Sequence, residues 1–231
     1  GVMASATLKA DKNKPPLVTI KFVKVLLICG ILSSVLYIAT DVIANFMWNG
    51  YSFTDQTVSE LFAIDAPPRS VVVPLFVVYA VLIYLFGIGV WLSSGTKRVL
   101  RIAAALIIGK EILGLYGTLF APIHLRGVQG TSSDTMHAIV TAVGVFLFMF
   151  PAMIFGAKSF GKKFRIYSIT TMVLFVVFGT LAGLNGQALA ENLPTPFMGI
   201  YERINIYGYM LWIVVLSLIL LRSKDHSADE K

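Results

Sequence analysis

The chain has 231 residues, 57% of them hydrophobic and only 13% charged, with 19 basic residues against 12 acidic ones and a net charge of +7. A water-soluble domain is about 45–50% apolar and about 25% charged, so this composition excludes a disordered or collagenous chain and a water-soluble enzyme, and it reads as an integral membrane protein. The single cysteine, Cys29, excludes a disulfide scaffold and any multi-cysteine zinc or iron–sulfur site.

Residues 1–20, rich in Lys, Pro and Ala, read as a mobile basic arm. About 20 apolar residues cross the hydrocarbon of a bilayer, and the first such run is Lys21–Met47. It is too long for a cleaved signal peptide and has no small-residue cleavage site in the right place, so it is expected to be a mature helix. Ser34, Tyr37, Asp41 and Asn45 recur at helical spacing on one of its faces. That stripe is either a polar seam turned to a bundle interior or one wall of an external cavity. In the following loop, Gly50-Tyr-Ser-Phe-Thr-Asp-Gln-Thr-Val-Ser-Glu-Leu-Phe, Thr57 and Glu60 fit a capping box. A short helix there would carry Leu61, Phe62 and Ile64 on its apolar face and lie over the external mouth or in the interface. Ser59 and Glu60 are a candidate nucleophile and acid, but capping chemistry is the plainer reading unless a base is positioned beside them.

The second span is predicted over Val71–Ser93 and the third over Val99–Ala121. Lys110 and Glu111 fall near the middle of the third, and adjacent helical side chains point about 100° apart. Each therefore wants a partner on another helix. For Lys110 the first candidate is Asp41, then Glu60, Glu202 or Glu111, as a buried ion pair; the alternatives are a substrate-facing lysine and a carboxylate kept neutral by burial. The fourth span, Thr135–Ala157, is expected to be capped by Asp134 or Thr135. It carries His137 at its outer end and a kink at Pro151. His124, in the preceding Ala-Pro-Ile-His, and His137 fit no tight metal motif. Only His137 is placed for a haem ligand, so neither a metal nor a cofactor is expected. The fifth span, Ile166–Gln187, offers Gly179, Gly183 and Gly186 for close helix packing. Glu202 and Arg203 lead into the sixth, Ile204–Leu221; an acidic residue suits a helix start, and an arginine suits phosphate or carboxylate. Residues 223–231 form a polar tail. The chain is thus an all-α, six-helix membrane bundle over residues 21–222.

Positive loops stay cytoplasmic. Lys9, Lys12, Lys14, Lys21 and Lys24 precede or open the first span, and Lys97, Arg98 and Arg101 fall on the same side. So do Lys158, Lys162, Lys163 and Arg165, followed by Arg222, Lys224 and Lys231, making fifteen of the 19 basic residues. Only Arg69, Arg126 and Arg203 fall on the other side. Both termini are therefore expected in the cytoplasm of a cell membrane, and the positive charge is a topology signal with attraction to anionic lipid as a by-product. A nucleic-acid partner is not indicated.

Three segments carry a family resemblance. They are Gly50-Tyr-Ser with Thr57-Val-Ser-Glu-Leu; Phe120-Ala-Pro followed by His137; and Gly199-Ile-Tyr-Glu-Arg-Ile-Asn followed by Trp212. In this order, over about residues 25–220, the chain resembles the domain-of-unknown-function family nine-nine-eight of prokaryotic multi-span membrane proteins. It departs from the expected pattern where Asn-Phe-Met-Trp precedes Gly50, a place where a proline is common. The resemblance implies a six-helix membrane protein and supplies no reaction.

Asp41, Glu60, Lys110, Glu111, His137, Glu202 and Arg203 all belong to the spans' interior or the outer half, and they are expected to form one external cavity. The first functional reading is binding of a lipid or small amphiphile there. The second is an intramembrane lipid hydrolase using Ser59, His137 and Asp41 or Glu60, although such enzymes usually hold more histidines around zinc. The third is an accessory or structural subunit, with a protein partner or a homo-oligomer left open. No glycine-rich nucleotide loop is present, and no inverted repeat or pair of broken spans marks a transporter.

Overall fold

The computed structural model describes residues 17–229, so most of the expected N-terminal arm lies outside the described residues. The elements are α1 (Leu17–Met47), α2 (Arg69–Leu92), α3 (Arg98–Phe120), α4 (Ser132–Val143), α5 (Phe150–Lys158), α6 (Lys162–Gly183), a short α7 (Gly186–Ala190) and α8 (Met198–Asp229). A π-helical stretch, Gly144–Met149, joins α4 and α5 into one rod. It falls just before Pro151, whose ring would otherwise meet the carbonyl of Leu147; the expected kink is taken up as a widened turn. No strand occurs among the described residues, only an isolated bridge between Ile64 and His124.

Among the described residues five helices are long and apolar enough to cross a membrane: Thr19–Met47, Arg69–Leu92, Ser132–Lys158, Lys162–Gly183 and Met198–Asp229. α3 is the sixth rod and carries Lys110 and Glu111 midway. The rods close into a ring: α1 packs on α2, α2 on α3, α3 on α5, α5 on α6, α6 on α8, and α8 back on α1. Their inner faces hold one apolar core around Trp212, Phe86, Leu27, Ile83, Ile107 and Met153. Their outer faces stay apolar: Phe22, Val25, Ile28, Leu32 and Val35 recur at helical spacing along α1 and are exposed, the pattern of a rod that meets lipid on one side and helices on the other. Close approach is built in where α1 crosses α2, since a Cβ on Gly89 would stand 2.9 Å from the Cβ of Leu26.

Residues 48–68 and 121–131, with the chain leading into α8, form a cap over one end of the ring. Ile64 N–H donates to the Ile123 carbonyl at 2.8 Å, Ile200 N–H to the Thr54 carbonyl at 3.0 Å, and Phe197 N–H to Asp55 Oδ1 at 2.9 Å. At the opposite end Lys24 pairs with Asp225, so the start of α1 and the end of α8 lie together.

Three expectations shift here. α4 begins at Ser132, with Thr131 as its cap in a reciprocal box with Asp134; the cap comes earlier because Thr131 and Asp134 have the three-residue spacing the box needs. α8 begins at Met198, not Ile204, and runs on through the polar tail to Asp229. Of the three glycines expected to form a packing face, only Gly179 approaches a neighbour, at Asn205; Gly183 and Gly186 face open space.

Candidate functional site

The polar stripe of α1 meets α8 beneath the cap. Arg203 donates Nε to Asp41 Oδ2 at 2.8 Å and Nη2 to Asp41 Oδ1 at 2.9 Å, a two-pronged pair whose side chains are 3% and 0% exposed. Its other donors reach the Phe53 carbonyl at 2.7 Å, the Gln56 carbonyl at 2.9 Å and the Tyr51 hydroxyl at 2.8 Å. The guanidinium also lies 3.9 Å from the Phe53 ring centre. Asp41 accepts further bonds from Asn45 and Tyr207. Tyr51, in the cap loop, donates its proton to the Thr57 carbonyl at 2.7 Å. Burial pushes its phenol above the ordinary range, so it stays protonated and keeps that donor. Gly199 makes the arrangement possible: a Cβ there would collide with the same Phe53 and Gln56 carbonyls that hold Arg203.

The 3₁₀ turn Ser59–Phe62 carries the second buried pair. Glu60 accepts from Thr57 N–H at 2.6 Å, and Thr57 Oγ1 accepts from Glu60 N–H at 3.3 Å, the reciprocal box expected of this spacing. Arg126 reaches across from the other cap loop to Glu60 Oε1 at 2.5 Å and Oε2 at 3.1 Å. Glu202 Oε1 accepts from Val58 N–H at 2.9 Å, pinning the turn to α8. Arg69 donates to the Phe62 carbonyl. All three arginines at the capped end are thus held by the protein itself.

Beneath the turn lies a cavity of about 180 Å³. Its walls include Ser59, Lys110, Glu111 and Glu202 together with the rings of Tyr37 and Tyr209. Lys110 does not meet the carboxylate expected of it. Asp41 is engaged by Arg203 and Glu60 by Arg126, and among the described residues no carboxylate oxygen lies within 4.0 Å of Lys110. Its ammonium instead stands 4.8 Å above the Tyr209 ring. The Tyr209 hydroxyl is buried without a hydrogen-bond partner among the described residues.

His137 stands behind Ser59. Its Nδ1 lies 2.8 Å from the Ala121 carbonyl and its Nε2 3.3 Å from Ser59 Oγ. His124 is occupied elsewhere, with Nδ1 2.9 Å from Asp134 Oδ2. Among the described residues no three His, Cys, Asp or Glu side chains cluster as a metal site.

Of the residues singled out in the sequence, Ser59, Lys110, Glu111 and Glu202 line the cavity. Asp41, Arg203 and Glu60 are buried beside it in the cap's ion pairs, and His137 reaches it through Ser59. Tyr51, Arg126, Tyr207 and Tyr209 carry contacts that the sequence reading did not single out. Tyr207 had a signal, its place four residues after Arg203 on the same helix face; Tyr51 had one in the Gly50-Tyr-Ser motif.

The family model described as "Protein of unknown function (DUF998)" matches residues 31–219. No curated protein and no solved structure matches the chain. The chain belongs to the DUF998 family.

Proposed function

We propose that this chain is a six-span protein of a cell membrane, with both termini cytoplasmic, whose capped outer half binds the head group of a lipid or small amphiphile. The observation that carries the reading is Lys110. An ammonium within a span is expensive and ordinarily finds a partner, and the buried arginines around it have theirs. Lys110 has an aromatic face, a cavity, and next to it the unpartnered Tyr209 hydroxyl. An anionic group in that cavity takes one charge-assisted hydrogen bond from Lys110 and a second bond from Tyr209. Glu111 and Glu202 on the other walls suit the cationic part of a zwitterionic head group.

Equilibrium titration of the purified chain in nanodiscs tests this with an alkyl phosphate and an alkyl trimethylammonium of equal chain length. Lys110→Met is expected to weaken the phosphate about ten- to a hundredfold, the range of one charge-assisted bond, and to leave the ammonium unweakened. Equal phosphate affinity in both proteins overturns the reading.

The orientation has its own test. With Cys29→Ser as background, single cysteines at positions 55 and 129 are expected to react with an impermeant thiol reagent added outside intact cells. Cysteines at positions 97 and 160 are expected to react only after permeabilisation. The reverse pattern moves the cavity to the cytoplasmic side.

A further inference from the structure

We propose that Ser59 and His137 are a nucleophile and general base that transfer the acyl group of a carboxylic ester bound in the cavity. The proposal rests on the reading of that cavity as an amphiphile site. A backbone carbonyl only accepts hydrogen bonds, so the 2.8 Å contact with Ala121 places the proton of neutral His137 on Nδ1. Nε2 is left with a lone pair facing Ser59 Oγ at 3.3 Å. This is the arrangement an activated serine needs: base within reach, and base oriented by a third group. Here the Ala121 carbonyl holds the ring where a carboxylate does so in other hydrolases. Asp41 takes no part, because both its oxygens are committed to α8.

Both partners are positioned from outside the cavity. Ser59 opens a 3₁₀ turn fixed by the Thr57–Glu60 box, by Arg126 and by Glu202. His137 lies in the second turn of α4, behind the Thr131 cap. Ser59 lines the same cavity as Lys110, so an anchored amphiphile presents its ester near Oγ and near a cation able to stabilise a developing oxyanion.

In the first step Ser59 Oγ bonds to the ester carbonyl carbon while His137 Nε2 takes the hydroxyl proton. The carbonyl carbon's bond to the alkoxy oxygen then breaks, and the alcohol leaves with that proton. In the second step water, or the hydroxyl of a second lipid, attacks the acyl-serine. His137 takes its proton, the acyl bond to Oγ breaks, and the proton returns to Ser59.

The test is covalent capture with a small alkyl fluorophosphonate, which needs a nucleophilic serine and no anionic anchor. Peptide mapping of the full chain in nanodiscs is expected to find the adduct on Ser59. Ser59→Ala removes it, and His137→Gln slows its formation by about 100-fold or more, the contribution of a general base. Alkyl phosphate binding to the wild-type chain is titrated separately, so binding without capture overturns this proposal alone, and capture without binding overturns the cavity reading alone. An unmodified Ser59 in the wild-type chain overturns the proposal, as does capture at an unchanged rate in a folded His137→Gln variant.

Discussion

Replacing Arg203 with methionine is expected to destabilise the protein by about 3–5 kcal/mol, the range for removing one partner of a buried ion pair. The change leaves the Asp41 carboxylate buried with only Asn45 and Tyr207 as donors, and it strips the donors from the Phe53 and Gln56 carbonyls. The cap loop loses its main attachment to α8, so the effect is expected to reach the cavity beneath it. Asp41→Leu should be comparably costly, because it leaves the guanidinium charged and unpaired. The double variant should cost clearly less than the two losses added together, since neither charge is then orphaned. Reversible unfolding in mixed micelles measures all three. Additive losses would mean that the pair is not coupled.

The second large effect is expected at Trp212→Ala. Trp212 is fully buried, donates Nε1 to Ser168 Oγ at 2.9 Å, and stacks against Phe164 and Tyr209 with ring centres at 5.8 and 6.3 Å. A Cβ on Gly156 would stand 2.8 Å from its ring, so α5 closes directly over it. In lipid, helices associate through packing and not through escape from water, and an empty indole site forfeits its contacts outright. The expected loss is about 3–5 kcal/mol. Trp212→Phe keeps most of the volume and should cost less, chiefly the lost bond to Ser168. The same unfolding assay checks both, and a loss below about 1 kcal/mol for the alanine variant would show that the ring can collapse around the gap.

How much of this was legible beforehand depends on the range of the interaction. Apolar runs marked every long helix, because a bilayer imposes a length that composition reveals directly. The Thr57–Glu60 box was also legible, since both partners lie within one turn. Pairings across the bundle were not. In the sequence Asp41 stands as the first candidate partner for Lys110, whereas the residue that holds it is Arg203. That guanidinium falls before the apolar run of the last span, because the charged Glu-Arg pair interrupts the run there. Once α8 is seen to start at Met198, Arg203 lies on a helix turn facing α1. The link between Glu60 and Arg126 joins two loops 66 residues apart, and no local pattern announces it. For His137 a place near the start of its helix is legible, but its bonds to Ala121 and Ser59 depend on how the cap folds back over α3 and α4.

The most direct measurement is photo-crosslinking of the reconstituted chain with an alkyl phosphate that carries a diazirine beside its head group, with adducts located by peptide mapping. Adducts are expected on the cavity walls, at Tyr37, Phe76, Tyr79 and Tyr209, and are expected to be largely lost in Lys110→Met. Adducts confined to outward-facing residues such as Phe22, Val35 and Phe120, and unchanged in the variant, would contradict a head-group site around Lys110.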